Sequence, residues 1–203
     1  MSTAPLRRVG AVPAPTTSGR RRGVRRGTGT VVMVIVWVGV ASTEVWGDER
    51  VVDLPDTPAE LRLEGRWDEV VLPPGERRPL GTWRHPAGAT LVVTRSTASA
   101  LDAWRERTRE AWVEQVEAGI RDSVEGYRRQ MRKVHEVREV PALDIAFRHR
   151  TKDGYERVVM RFLFFRTHVV TAAAAAPEAR WSQARGAAQA VISGFGPPPS
   201  YAP

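Results

Sequence analysis

The chain has 203 residues, 42% hydrophobic and 27% charged, which is the balance of one globular domain large enough to bury a core. Its formal charge of +8 is unevenly placed. Residues 1–47 carry seven arginines and one acid, leaving +2 for residues 48–203, so the basicity argues for membrane targeting rather than for a basic nucleic-acid-binding domain. With no cysteine, disulfides, thiolate nucleophiles, cysteine-ligated zinc and a lipidated lipoprotein cysteine are all excluded.

Residues 1–30 are rich in Pro, Gly, Thr, Ser and Arg, a composition that predicts a disordered basic N-terminal region. Residues 31–47 follow as a signal peptide or N-terminal anchor. Their apolar run, VVMVIVWVGVA (31–41), has eleven residues, whereas a membrane span needs roughly 20. Arginines, a short apolar run and then small residues is the order of a secretory leader. Gly39 and Ala41 stand at −3 and −1 of a possible cut, as do Val45 and Gly47. A true start at Val24 would give this leader ordinary proportions. An internal strand is the competing reading of the valines, and the arginines just before them suit a leader better. The expected location is therefore exported, periplasmic or extracellular, with a membrane tether if the leader is kept.

Residues 48–60, with Pro55 and Pro58, read as a linker, and 61–195 as a single α/β domain. A short strand is expected over 61–66, a loop over 72–81 and a strand over 89–95. Ser99 caps an amphipathic helix whose inner stripe is Leu101, Trp104, Thr108, Trp112, Val116 and Ile120, with Glu110, Glu114 and Glu117 on the solvent side. The helix ends near Asp122, and 127–139 reads as a strand that competes with a continued helix. Residues 143–150 alternate with period two, TKDG (151–154) is an Asp-Gly hairpin turn, and 155–166 is apolar on both faces, as a central strand is. A third strand covers 169–177. A last helix starts at Pro177, buries Trp181, Ala184, Ala188, Val191 and Ile192, and stops at Gly194. Residues 196–203 are expected to be a disordered proline-rich tail.

This makes an α+β domain: an antiparallel sheet of about five to six strands, one long amphipathic helix and a C-terminal helix. The order of elements, with PALDIAFRHR…YERVVMRFLFFRTHVVTAAAAA as its three-strand run and a closing helix, resembles the PsbP-like α/β/α fold group over about residues 60–195. The resemblance implies a non-enzymatic accessory or binding protein and offers no catalytic residue to carry over.

The residues themselves offer little catalytic chemistry. HEVRE (135–139) has Glu139 where the helical zinc-protease pattern needs a second histidine, so no metal is expected. His149 and Asp144 lie five residues apart on one strand and face opposite ways. Phosphate-cradling glycine loops and G-x-S-x-G are absent, and no cofactor is expected. Candidate binding residues are Arg157 and Arg161, two cations on one face of a central strand, with Trp67 and Trp83 as lining of a groove at the sheet edge. The arginines would form a shallow anion or peptide site, or else pack their stems and reach water or an acid such as Glu117. YRRQMRK (127–133) reads as a solvated face or one attracted to anionic envelope lipid. The function expected is an exported or membrane-anchored, non-catalytic accessory or binding protein of the cell envelope, whose partner is an envelope protein or an anionic surface and not nucleic acid. The alternatives are a hydrolase with a scattered site around His149, Asp153 and Glu156, and an intracellular basic binding protein.

Overall fold

A computed structural model describes residues 49–72, 79–96 and 106–201, and the side chains from residue 109 onward in the helix that begins at Glu106. The leader, Ser99, Leu101 and Trp104 lie outside the described residues. Strands are β1 (Arg50–Asp53), β2 (Glu60–Leu63), β3 (Asp68–Glu69), β4 (Gly81–Arg84), β5 (Thr90–Ser96), β6 (Glu125–Val137), β7 (Val140–Thr151), β8 (Gly154–Phe164), β9 (Val169–Pro177) and β10 (Phe195–Gly196). The helices are α1 (Glu106–Ser123) and α2 (Trp181–Ser193), the second preceded by a 3-10 turn at Glu178–Arg180.

Seven strands form one antiparallel sheet in the order β3-β4-β5-β9-β8-β7-β6, and β1-β2-β10 form a separate small sheet. The main sheet is larger than the five to six strands expected, for two reasons. β3 and β4 were not expected, because strands of two and four residues leave little pattern of their own. Residues 127–139 resolve as strand β6, which enters through Gly126 at φ +64, a conformation that a side chain would resist. The second sheet enlists β1 from the expected linker.

Alternation along β7, β8 and β9 sends two apolar sets to opposite faces. Leu143, Ile145, Val158, Met160, Phe162 and Phe164 form one core with Trp112, Val113, Val116 and Ile120 of α1, and the Trp112 ring meets Phe164 edge-on at 4.5 Å. On the other face Ala142, Val159, Leu163, Ala172, Ala174 and Ala176 pack beneath α2 and the small sheet, where Ala184, Ala188, Val191, Leu61 and Phe195 are buried. The alanines of β9 are wholly buried on both faces, and their small side chains let both layers sit close on a central strand. Gly194 ends α2 where β2 passes: a Cβ there would come within 2.9 Å of Arg62, whose N–H donates to the Gly194 carbonyl at 3.1 Å. Residues 196–201, expected as tail, are seated against the domain. Gly196 pairs in β10, the Pro197 carbonyl accepts from Arg138, and Tyr201 stands edge-on to Phe165 at 5.7 Å. Among the described residues, no helix is long and apolar enough to cross a membrane.

Candidate binding surface

The hairpin turn at Thr151–Gly154 fixes the β7–β8 register, and that register decides the fate of both candidate arginines. Arg161 lies opposite Asp144, and the two form a bidentate pair, Nε to Oδ1 at 2.7 Å and Nη2 to Oδ2 at 2.9 Å. The remaining Nη1 donates to the Phe195 carbonyl at 3.0 Å, tying the central strand to β10. His135 Nε2 comes within 3.0 Å of the same carboxylate, near enough for ion pairing but not aligned as a hydrogen bond. With Arg161 only 8% exposed and its fork fully engaged, this residue is a structural bolt and offers nothing to a ligand.

The expected acidic partner is also corrected. Glu117 faces inward from α1 and is buried, accepting from the Tyr127 hydroxyl at 3.0 Å and from Arg129 at 2.8 Å, with Arg132 at 3.3 Å. Burial, and then donation to Glu117, push the Tyr127 hydroxyl above the usual phenol range. Glu117 thus belongs to an α1–β6 cluster on the face opposite Arg157 and Arg161. Trp67 and Trp83 are 5% and 2% exposed and belong to the core under the small sheet, so neither lines a groove. Trp83 lies across Gly81, where a Cβ would fall 2.1 Å from the ring.

Arg157 does remain at the surface, and it has company the sequence reading missed. It lies opposite Arg148, which lies opposite Arg128, so three arginines form a row across β8, β7 and β6. One carboxylate serves the inner end: Glu178 accepts from Arg157 at 2.8 Å and from Arg148 at 3.2 Å. Hydrogen bonding to Arg157 is the main reason that Glu178 is held below the ordinary carboxylate range. The Arg148 guanidinium also stands 4.3 Å over the ring of Tyr155, itself 45% exposed. Arg128, at the sheet edge, has no carboxylate partner among the described residues, nor has Lys133 further along β6. The turn that pairs Thr151 with Gly154 was enough to place Arg148 opposite Arg157; Arg128 could not be placed, because two register shifts break the β6–β7 ladder.

Of the residues of the hydrolase alternative, the structure brings His149 and Glu156 together and leaves Asp153 apart. His149 Nε2 is 3.1 Å from Glu156 Oε2 and Nδ1 is 3.2 Å from the Arg150 carbonyl, so both ring nitrogens are engaged and neither is left to face a reactant. Asp153 sits in the exposed hairpin turn, its N–H donating to Thr151 Oγ1. Among the described residues no group of three or more His, Asp or Glu is arranged to hold a metal.

No family model matches the sequence, and no curated protein matches it. Solved structures do. LpqN, described as involved in cell envelope biogenesis of Mycobacterium tuberculosis, is 15% identical, with 73% of this chain and 89% of that chain covered at a TM-score of 0.49. A Pseudomonas aeruginosa protein of unknown function, PA94, is 13% identical, with 76% and 100% covered at 0.47. The cyanobacterial PsbP (CyanoP) of Synechocystis sp. PCC 6803 is 12% identical, with 79% of this chain and 99% of that chain covered at a TM-score of 0.55. At such identities the likeness concerns the fold: the chain has a PsbP-like α+β fold.

Proposed function

We propose that this protein is an exported or membrane-anchored, non-catalytic domain that works by binding a partner in the cell envelope. The observation that carries the reading is the way charge is distributed over the folded residues. Asp144, Glu117, Glu156 and Glu178 are each committed to a cation or histidine of the same domain, while the Arg128–Arg148–Arg157 row ends in an exposed arginine at a sheet edge. Cations gathered with no uncommitted carboxylate beside them among the described residues suit recognition of an anion better than chemistry on one. Export rests on the order of arginines, valines and small residues in 1–47, which is that of a leader.

The test uses the full-length chain with a C-terminal tag, expressed in its host, fractionated and cross-linked. Recovery in the envelope or outside the cell, with a defined protein attached, supports the proposal. Recovery from the cytosol with residues 1–47 intact and no attached partner overturns it, and would favour the intracellular basic protein. Amino-terminal sequencing of the same material locates the cut expected after Ala41 or Gly47, or shows the leader retained as an anchor.

A further inference from the structure

β6 runs for 13 residues along the edge of the main sheet, and among the described residues nothing pairs with its outer side. In an antiparallel ladder every second residue turns its N–H and C=O away from its neighbour, so β6 presents a row of free backbone donors and acceptors. Beyond the register shifts at its start, Met131–Val137 pairs with β7 without interruption, giving a straight template seven residues long. Met131 and Val134 on this stretch are 41% and 39% exposed.

Charge decides what can pair there. On the α2 side the edge shows Arg128 and Lys133, without carboxylate partners among the described residues; on the α1 side Arg129 and Arg132 already share Glu117 and Glu114. A second copy is a poor occupant, because antiparallel self-pairing of the uninterrupted stretch, centred on Val134, sets Lys133 opposite His135 and gives neither Lys133 nor Arg128 an acid. Like charges directly opposite one another oppose pairing, and Arg128 already faces Arg148 in this way. Among the described residues the row Arg157–Arg148–Arg128 has a carboxylate, Glu178, at its inner end and none at its outer end. An added strand with an acid opposite Arg128 would supply the missing one.

Resting on the binding reading above, we infer that the outer edge of β6 receives an extended acidic segment of the partner protein as an eighth strand of the sheet, with carboxylates opposite Arg128 and Lys133 and an apolar side chain beside Val134. Backbone pairing provides the attachment and the alternating side chains provide the selection. The same cations that keep neutral and basic strands off a bare edge admit an acidic one.

The probe is a fluorescent, end-blocked peptide of alternating glutamate and valine, titrated against the chain purified from its host and read by anisotropy. Binding is expected, with new hydrogen-exchange protection of β6 amides. Methylating alternate backbone nitrogens of the peptide, which removes ladder donors but no charge, should abolish it. Arg128→Glu/Lys133→Glu should weaken it about tenfold, and that variant should instead prefer the lysine–valine peptide, which also shows that it is folded. Undiminished binding of the N-methylated peptide overturns strand addition, as does attachment to anionic lipid vesicles with none to the peptide. If the charge-reversed full-length chain still retains its envelope partner in the host, the edge is the wrong surface while the binding function stands; if wild type retains no partner, the function itself fails.

Discussion

The Arg161–Asp144 pair shows how one residue can serve the fold while looking like a site. Two opposite charges at 2.7 Å in a nearly dry sheet face are stable only together, since each alone would keep the full cost of leaving water. Asp144→Ala should therefore cost about 3–5 kcal/mol, leaving the guanidinium buried with only the Phe195 carbonyl. The double change Asp144→Leu/Arg161→Met, which removes both charges at similar volume, should recover most of that loss. Urea unfolding of the two variants against wild type checks this. A single variant as stable as wild type would mean that Arg161 reaches water and is available after all. The pair was legible in principle: the Asp-Gly turn sets Asp144 opposite Arg161 as surely as it sets Arg148 opposite Arg157. The pattern of β8 alone shows two arginines on one face without an acid, and Glu117 on the helix is inward-facing and already bound by Tyr127 and Arg129.

Among the elements, α2, the β7–β8 hairpin and β9 were readable because a single pattern dominates each: helical spacing of Ala184, Ala188 and Val191, period two along β7, an Asp-Gly turn, an apolar run ended by alanines. β6 was not, because an edge strand is wet on most of its length and two register shifts break its alternation. The β6–β7 connection was equally silent. Val137 pairs with Val140, so the loop is only Arg138 and Glu139, both at positive φ (47 and 66). That conformation belongs to a two-residue turn that normally uses Asn and Gly, and the sequence VREV gives no sign of it. Arg138 is held there by the Pro197 carbonyl and, at 3.5 Å, by Glu60, whereas Glu139 is exposed. Glu139→Gly should then relieve a left-handed residue at little other cost and raise stability by about 1 kcal/mol. Thermal unfolding reads the gain. A loss instead would show that the hairpin does not need the turn to be left-handed at that position.

For the whole molecule, the charge that looks so large in the sequence lies mostly in residues 1–47, and the described domain should respond to pH through a few groups. His85 and His168 both have pKa values lowered from 6.5, His85 by burial and His168 by burial and then Arg95, so the fold prefers their neutral rings. Above that pH the rings are neutral folded or unfolded, and nothing is lost. As pH falls through 6.5 the unfolded chain takes up protons first, so stability declines until the lower folded values are passed and then levels off. Glu178 is displaced in the same direction, downward, and so has the same direction of loss. Its folded pKa lies below 4.5, so its ion pairs with Arg157 and Arg148 contribute fully above that pH and are lost as pH falls through the folded value. Urea midpoints measured from pH 8 to 3 should thus show two separate declines with a shallower stretch between. His85→Gln should diminish the upper decline and leave the lower one, while Glu178→Gln should do the reverse. An upper decline unchanged in both His85→Gln and His168→Gln would place the neutral-range titration elsewhere in the chain and remove the buried rings as its cause.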